Sequence, residues 1–336
     1  MIISRTPLRF SFFGGGSDFP EFYQKHGGTV VSTTINKYIY ITMNTRFTDD
    51  LRLSYSETEI VSDVTELRHT LAKNCLTHFG LKSGFELTSV ADIHGKGSGL
   101  GSSSSFSVGL INLLSCKAGK KISKYDLAEE AVYIERDVSN NFIGVQDQYA
   151  ASFGGLNLIN FSTNGVEVKK IDLSSQAKRH IEASCMTFYT GLTRSASNVL
   201  EDQFSSLSDK NKSEFPKEKL ETLKYFSSLA SDSKNYLYNG DVEWLGRSLD
   251  KCWKLKRKLG SSVSTEVIDN IYTKAMSAGA FGGKILGAGG GGFMLFIVPK
   301  ERQERVREAL KDFKELPALF EENGSDIIYN DEEKNE

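Results

Sequence analysis

A run of glycines and serines at residues 95–105, Gly-Lys-Gly-Ser-Gly-Leu-Gly-Ser-Ser-Ser-Ser, has the composition of a phosphate-binding loop. Glycine allows close approach of a ligand to the backbone and permits positive φ. A strand-like segment precedes the run, and apolar residues at helical spacing follow it. The free N–H groups and the dipole of a helix N-terminus attract anions. The pattern therefore predicts a phosphate cradle rather than a flexible linker, with serine hydroxyls as further donors and as a candidate metal ligand.

Two other nucleotide-binding patterns are not supported. A Walker loop requires a lysine in GxxxxGK[ST], and no lysine follows Gly101. Residues 287–292 match GxGxxG, but the apolar segment that follows them is typical of a strand rather than a helix. An NAD-dependent oxidoreductase would require this run to open a βαβ unit, so we regard that function as disfavoured.

Glu135 is an acidic residue on an otherwise apolar helix face. The spacing predicts a helix over residues 123–138, with Leu127, Ala131, Glu135 and Val138 on one side. A carboxylate on such a face is costly unless it has a partner. A magnesium ion shared with nucleotide phosphates would supply that partner, and an ion pair with a lysine or arginine is the alternative.

Composition limits the classes of protein that the chain can belong to. The 336 residues carry a formal net charge of -2, so no basic field favours nucleic acid or an anionic membrane. The four cysteines form no CxxC or zinc pattern, which is typical of free thiols in a reducing compartment. No segment has the apolar length of a membrane span, and the N-terminus does not resemble a signal peptide. We expect a cytoplasmic protein without nucleic-acid or membrane partners, and a homodimer remains open.

Strand-like and helix-like segments alternate in mixed order, which predicts an α+β protein with two domains, residues 1–176 and 177–336. Residues 29–34 and 37–43 are predicted as two strands because they are rich in β-branched and aromatic side chains. Residues 205–219 are polar and charged and contain Pro216, which predicts an exposed loop.

Three segments resemble the signatures of GHMP kinases, the family of galactokinase, homoserine kinase, mevalonate kinase and phosphomevalonate kinase. Residues 6–18 resemble the first signature, residues 97–105 the second and residues 284–293 the third, in the family's order. Ser104 and Ser105 stand where the family's second signature has two alanines, and residues 94–96 replace a proline-led start. The resemblance implies a ribosomal protein S5 domain 2-like N-terminal domain and a ferredoxin-like C-terminal domain, with ATP and Mg²⁺ as cofactors.

The first signature is most similar to that of kinases acting on heptose 7-phosphate and of fucokinase-like kinases. This likeness implies a sugar kinase that phosphorylates the anomeric hydroxyl of a heptose phosphate. A kinase for L-fucose or another free sugar is the alternative within the family. An inactive sensor that binds ATP and a sugar is the alternative from another class, although Arg9, Glu135 and Asp147 are all retained.

The resemblance also implies roles for individual residues. Asp147 matches the catalytic base, and Arg9 matches an arginine that stabilises charge on the phosphoryl group or on Asp147. Glu135 and Ser103 are implied to hold Mg²⁺, with Ser102 as the other candidate hydroxyl. The implied ATP-binding residues are Gly97, Ser98, Gly99, Leu100, Gly101, Ser102, Ser103 and Ser104. Asp18 matches an acid that binds sugar hydroxyls in related kinases. Apart from the resemblance, the predicted substrate-binding glycines, which let the backbone approach the ligand, are Gly15, Gly16, Gly289 and Gly290. A distal phosphate would need a basic ligand, for which Arg194 is the preferred candidate and Lys37, Lys254 and Lys256 are further candidates.

Each of these roles has a structural alternative. Asp147 is also suited to cap its own loop, and Asp18 is suited to a turn before Pro20. The glycines of residues 287–292 also fit a tight entry into the next strand.

Overall fold

The computed structural model describes residues 1–93, 97–194, 196–208 and 216–331. The strands are β1 (Ile2–Phe13), β2 (Gly28–Thr45), β3 (Leu51–Ser54), β4 (Thr58–Val61), β5 (Phe85–Ala91), β6 (Leu156–Ser162), β7 (Gly165–Lys170), β8 (Cys185–Tyr189), β9 (Gly282–Ile285), β10 (Phe293–Ile297) and β11 (Asp326–Asn330). The α-helices are α1 (Pro20–His26), α2 (Thr70–His78), α3 (Ser102–Lys117), α4 (Lys124–Val132), α5 (Gln146–Phe153), α6 (Ser175–Ser184), α7 (Ala196–Ser208), α8 (Lys217–Tyr238), α9 (Val242–Lys256), α10 (Glu266–Ser277) and α11 (Gln303–Ala309). Short 3-10 turns cover Val64–Glu66 and Lys300–Arg302.

The larger sheet has the strand order β11-β1-β2-β5-β3-β4, with β6 paired to β2 and β7 paired to β6. The two strands predicted over residues 29–43 are one strand of 18 residues, so that prediction is wrong. The predicted gap coincides with a register shift, because Pro7 pairs with Tyr38 whereas Leu8 pairs with Ile35. The shift is a bulge that bends β2 without ending it. One half of β2 can therefore pair with β6 and the other half with β5.

The smaller sheet is antiparallel, with the order β8-β10-β9. Its core is separate from that of the larger sheet and includes Trp253 of α9, Ile268 and Ile271 of α10, and Phe296 of β10. The glycine run of residues 287–292 connects β9 to β10, so it leads into a strand and opens no βαβ unit. The prediction that this run belongs to no dinucleotide-binding fold is confirmed.

The helix predicted over residues 123–138 changes its geometry midway. After α4 ends at Val132, Tyr133–Val138 form a π-helical turn. A π turn contains more residues than an α turn, so the later positions rotate away from the predicted face. Ala131 and Glu135 are buried as expected, whereas Val138 is 42% exposed.

The prediction of a loop over residues 205–219 is wrong at both ends of that range. α7 continues to residue 208 and α8 begins at Lys217, while residues 209–215 lie outside the described residues. α7 is interrupted at Phe204, whose φ of -123° is not helical.

The chain returns to the larger sheet at its end, where β11 pairs antiparallel with β1. The division near residue 176 lies at the start of α6 and stays a prediction. None of the helices in the described ranges is long and apolar enough to cross a membrane.

Candidate active site

A cavity of about 1310 Å³ extends along the larger sheet and reaches the glycine run before β10. It is lined by residues of β1, of the glycine-serine loop, of α7 and of α9. Arg9, Asp18, Glu135 and Asp147, which lie far apart in the sequence, all line this cavity. The cavity therefore brings together the charged residues that the sequence singles out.

The described part of the glycine-serine loop, residues 97–101, is fixed to both sheets. The Arg9 backbone N–H donates to the Leu100 carbonyl at 3.0 Å, and the Phe293 N–H donates to the Ser98 carbonyl at 3.2 Å. Gly101 has a φ of 77° and caps the N-terminus of α3, a backbone conformation that favours glycine. The first N–H groups of α3 consequently lie beside the cavity, as expected for a phosphate cradle.

The serines that follow have different contacts. The Ser102 hydroxyl is 2.8 Å from the Ser98 hydroxyl, and both side chains are buried. The Ser103 side chain lines the cavity, and its hydroxyl donates to Glu135 Oε1 at 2.6 Å. Ser104 is buried and also lines the cavity. Of the two serines considered as a metal ligand, Ser103 is the one that contacts Glu135.

Arg9 and Asp147 form a bidentate ion pair. Arg9 Nε donates to Asp147 Oδ1 at 2.8 Å, and Arg9 Nη2 donates to Oδ2 at 2.7 Å. Arg9 Nη1 donates to the Gly99 carbonyl at 2.6 Å, which connects the pair to the glycine-serine loop. Asp147 lies in the first turn of α5 with 22% of its side chain exposed, whereas Arg9 is 4% exposed. The buried, planar guanidinium therefore fixes a carboxylate that remains accessible from the cavity.

Glu135 is buried, with 2% exposure, and accepts hydrogen bonds from neutral groups. Ser103 Oγ and Ser107 Oγ donate to it at 2.6 and 3.1 Å, and Gln148 Nε2 donates at 2.7 Å. Burial raises the pKa of Glu135, and these hydrogen bonds oppose the change. Within the part of the chain that the structure describes, no lysine or arginine forms an ion pair with it. The predicted ion-pair alternative is thus not observed there, and the carboxylate is suited to a cation from outside the protein.

Asp18 is buried beside the loop of three glycines. Its carboxylate accepts hydrogen bonds from the backbone N–H groups of Gly16 at 2.8 Å and Gln146 at 3.1 Å. A Cβ atom at residue 144 would lie 2.0 Å from Asp18 Oδ2, so only glycine fits that position. Burial raises the pKa of Asp18, and the nearby Asp147 carboxylate acts in the same direction.

An aromatic group at the cavity lining was not identified from the sequence. The His69 ring lies 4.8 Å from the Tyr55 ring and 5.1 Å from the Phe106 ring, measured between centroids. His69 Nδ1 accepts a hydrogen bond from the Ala72 N–H at the start of α2, and burial lowers the pKa of His69. Phe106 is four residues beyond Ser102 in α3. The aromatic group therefore lies on the first turns of α3, directly after the glycine-serine loop. No local motif marks Tyr55 or His69.

The predicted substrate glycines have different positions. Gly15 and Gly16 line the cavity, as do Gly287 and Ala288. A Cβ at Gly289 or Gly290 would instead lie 2.8 Å from the carbonyl oxygen of Val263 or Ser262, respectively. These two glycines therefore fit close packing against residues 262–263, and their role in substrate binding stays a prediction.

The predicted basic residues also differ in their position relative to the cavity. Arg194 is exposed and lines the cavity, and its backbone packs against Gly97. Lys254 is exposed and forms an ion pair with Asp250 at 2.8 Å. Lys256 lines the cavity, together with Lys284, which was not identified as a site residue from the sequence.

Comparison with known proteins identifies the family. The model for the N-terminal domain of GHMP kinases matches residues 66–155, and the model for their C-terminal domain matches residues 233–316. The D-glycero-alpha-D-manno-heptose 7-phosphate kinase of Campylobacter jejuni is 31% identical over 323 residues, which cover 92% of this chain and 93% of that protein. The L-fucokinase/L-fucose-1-P guanylyltransferase of Bacteroides fragilis is 24% identical over 343 residues, which cover 91% of this chain but 35% of that protein.

A solved structure extends the likeness to three dimensions. The crystal structure of a D-glycero-D-manno-heptose 1-phosphate kinase from Bacteroides thetaiotaomicron has a TM-score of 0.79 and 25% identity, and the match covers 98% of this chain and all of that one. The chain therefore belongs to the GHMP kinase family, and the predicted α+β, two-domain GHMP kinase fold is confirmed. It is an ATP-dependent phosphotransferase, and the two curated relatives described above are named as kinases of a heptose phosphate and of L-fucose.

Proposed function

We propose that this kinase transfers the γ-phosphoryl group of ATP to the anomeric hydroxyl of D-glycero-D-manno-heptose 7-phosphate and forms the 1,7-bisphosphate. The bisphosphate would be used in the cytoplasm to make nucleotide-activated heptose for surface glycans. The main support for a kinase is that the Arg9–Asp147 pair, the glycine-serine loop and Asp18 line one cavity. The choice of acceptor rests on the 31% identity to a heptose 7-phosphate kinase over nearly the whole chain.

The proposed proton acceptor is Asp147. The acceptor hydroxyl loses its proton to the Asp147 carboxylate as its oxygen bonds to the γ-phosphorus and the bond to the ADP oxygen breaks. Arg9 fixes the orientation of this carboxylate through two hydrogen bonds. Because Arg9 also holds the Gly99 carbonyl, the carboxylate and the phosphate loop keep a fixed relation to each other.

Ser103 and Glu135 are the proposed protein ligands of Mg²⁺. The buried Glu135 carboxylate and the Ser103 hydroxyl are both hard oxygen ligands, and Glu135 has no cationic side chain paired with it among the described residues. Magnesium sites in kinases commonly use one or two protein oxygens and complete the shell with phosphates and water. The bound ion would neutralise negative charge on the phosphates.

The nucleoside is proposed to bind at the aromatic end of the cavity. Tyr55, His69 and Phe106 form an apolar, aromatic surface next to the start of α3, where a purine can stack. Asp18 is the proposed ligand of sugar hydroxyls, because its carboxylate oxygens can accept hydrogen bonds from them.

The test is a coupled assay of ADP production with purified protein, ATP and Mg²⁺. The acceptors are D-glycero-D-manno-heptose 7-phosphate, the same heptose without phosphate, L-fucose, galactose, mevalonate and homoserine. We expect turnover with the phosphorylated heptose, and phosphorus NMR of the product is expected to show a new anomeric phosphate. The Asp147→Asn variant is expected to lose roughly 10²- to 10⁴-fold in kcat and to retain ATP binding, because only the proton acceptor is removed.

Other outcomes would replace the proposal. Turnover with L-fucose alone would assign the free-sugar activity that the likeness to a fucokinase suggests. Measurable ATP binding without turnover of any acceptor would favour the inactive sensor. Full activity in the Asp147→Asn variant would contradict the assignment of the proton acceptor.

A further inference from the structure

Two lysines of the second half of the chain line the cavity from separate elements. Lys256 is the last residue of α9, and Lys284 lies in β9. The Lys284 side chain is buried, with 8% exposure, whereas Lys256 is partly buried. Neither is used by the proton transfer or by the metal site described above.

Among the residues that the structure describes, the hydrogen bonds of these lysines leave most of their donors without an acceptor. Lys284 Nζ donates to the Phe12 carbonyl at 2.9 Å, and Lys256 Nζ donates to the Gly287 carbonyl. Among the described residues, no carboxylate lies within 4 Å of either ammonium group. Because an ammonium group has three N–H donors, each lysine keeps donors available for a ligand in the cavity.

The surrounding charges make this arrangement costly without a ligand. Burial lowers the pKa of Lys284 to about 8, and Arg9 acts in the same direction. Burial lowers the pKa of Lys256 well below its usual value, and both Lys284 and Arg9 add to that effect, whereas Asp18 opposes it. Asp147 already pairs with Arg9, and the Asp18 carboxylate favours the charged form of Lys256 but does not act on Lys284. A buried cation without a paired anion is unfavourable, and an anionic ligand would relieve the cost.

We propose that Lys256 and Lys284 form a second phosphate-binding subsite of the cavity, distinct from the glycine-serine loop. The two lysines reach the cavity from α9 and β9. Lys256 donates to the Gly287 carbonyl, and Lys284 donates to the Phe12 carbonyl. Phosphate oxygens are acceptors that suit two lysine side chains without a carboxylate partner among the described residues, and binding of the anion favours the charged form of both lysines. The subsite lies in the cavity with Asp18, so the distal phosphate of the acceptor is its first candidate ligand. That source rests on the proposed function, whereas phosphate binding itself does not.

Arg194 is less suited to this role. Its backbone packs against Gly97, and its Cγ atom lies 3.6 Å from the position of a Cβ at Gly290. It is exposed, whereas Lys284 is buried and Lys256 is partly buried.

Direct binding of inorganic phosphate tests the subsite without requiring turnover. Trp253 lines the cavity three residues before Lys256, so its fluorescence can report binding in a Trp244→Phe background that removes the other tryptophan. The titration is carried out in saturating Mg-ADP, which occupies the nucleotide loop. We expect Lys256→Met and Lys284→Met each to weaken phosphate binding by about tenfold or more. Lys254→Met is the matched control on the same helix, because that lysine is exposed and paired with Asp250, and it should bind like the parent.

Kinetics then separates the two possible sources of the phosphate. If the acceptor supplies it, Lys256→Met raises KM for the phosphorylated sugar by about tenfold or more and leaves KM for ATP unchanged. If the subsite instead contacts the phosphoryl group in transfer, kcat falls with every acceptor. Lys256→Arg should partly restore either parameter, because it returns the positive charge.

Sulfate gives an additional readout because its charge is constant near neutral pH. Sulfate affinity of the parent should fall between about pH 7 and 9 as Lys284 loses its proton, and the Lys284→Met variant should lack this fall. The charged and titratable groups that face Lys284 are Arg9 of β1 and Cys252 and Lys256 of α9. Phosphate affinity unchanged in both methionine variants, with thermal unfolding showing folded protein, would overturn the proposal. Absence of turnover with any sugar would count against the proposed function alone.

Discussion

At the scale of single residues, the buried charges of the cavity differ in how they are compensated. Arg9 and Asp147 neutralise each other through two hydrogen bonds. Glu135 accepts hydrogen bonds only from neutral donors among the described residues, so its charge remains uncompensated. Hydrogen bonds lower the cost of a buried carboxylate but do not supply a counter-charge. The difference explains why Glu135, rather than Asp147, is the proposed metal ligand.

The Glu135→Gln variant tests this assignment. We expect the Mg²⁺ concentration that gives half-maximal activity to rise by roughly tenfold, because a neutral amide is a poorer ligand than a carboxylate. Glu129→Gln on α4 is the control, since Glu129 is exposed and outside the cavity lining, and its Mg²⁺ dependence should match the parent. An unchanged Mg²⁺ dependence in Glu135→Gln would contradict the metal site.

The pH dependence of stability gives a second readout of the same variant. Burial raises the folded-state pKa of Glu135, so the folded state binds more protons than the unfolded state in the interval above the usual pKa. The contribution of this group to stability is therefore present at acidic pH and is lost as pH rises through the folded-state pKa. In thermal unfolding without Mg²⁺, the parent should gain stability relative to Glu135→Gln on acidification from neutral pH toward the usual pKa of a glutamate.

At the scale of elements, the phosphate loop depends on close contact between two glycine-rich segments. A Cβ atom at Gly99 would lie 2.4 Å from the Leu286 carbonyl oxygen, and a Cβ at Gly287 would lie 2.6 Å from Gly99 Cα. The loop before α3 and the segment that follows β9 can therefore approach so closely only because Gly99 and Gly287 lack side chains. This contact holds the first turn of α3 against the smaller sheet.

Substituting alanine at Gly99 and at Gly80 separates the cost of losing this contact from the cost of backbone strain at positive φ. Gly99 and Gly80 have similar φ values of 76° and 71°, but a Cβ at Gly80 meets nothing within 4 Å. Gly80→Ala should cost about 1 kcal/mol of unfolding free energy through strain alone, whereas Gly99→Ala should cost roughly 2 to 4 kcal/mol and also weaken ADP binding. Urea unfolding and ADP titration measure both effects. Equal losses in the two variants would show that the close approach contributes nothing.

At the scale of the whole molecule, the two ends of the chain share one sheet. β11 pairs with β1, and the Ser325 hydroxyl lies 2.8 Å from that of Thr6. Since β1 also carries Arg9, the strand that positions this proposed catalytic residue has β2 on one side and β11 on the other. Residues late in the sequence consequently contribute to the stability of the sheet that bears the site.

The neighbouring isoleucines of β11 provide a matched test. Ile327 is partly buried and packs against the main core, whereas Ile328 is 44% exposed. Ile327→Ala is expected to lower the unfolding free energy by about 1 to 2 kcal/mol, and Ile328→Ala should stay within about 0.5 kcal/mol of the parent. Chemical unfolding of the two variants measures the difference. Equal stability would indicate that β11 adds little to the sheet.

The features that the sequence alone determined are local. The glycine-serine run before the apolar periodicity of α3 marks the proposed phosphate-binding loop, and the strand after residues 287–292 excludes a dinucleotide-binding unit. Glu135 is recognisable because a carboxylate interrupts an apolar helix face, and that face persists as far as this residue. Each of these signals arises within one element or at one boundary, where spacing follows from backbone geometry.

Tertiary structure decided which distant residues meet. Nothing near Lys256 or Lys284 in the sequence marks them as neighbours of Arg9, because their proximity depends on how α9 and β9 pack against β1. Tyr55 and His69 likewise join Phe106 only through the folding of separate segments. The bulge that makes β2 one strand follows from pairing with β1, and pairing is a contact between segments. Spacing along a chain specifies faces of helices and strands, whereas the burial and charge of a site depend on long-range packing.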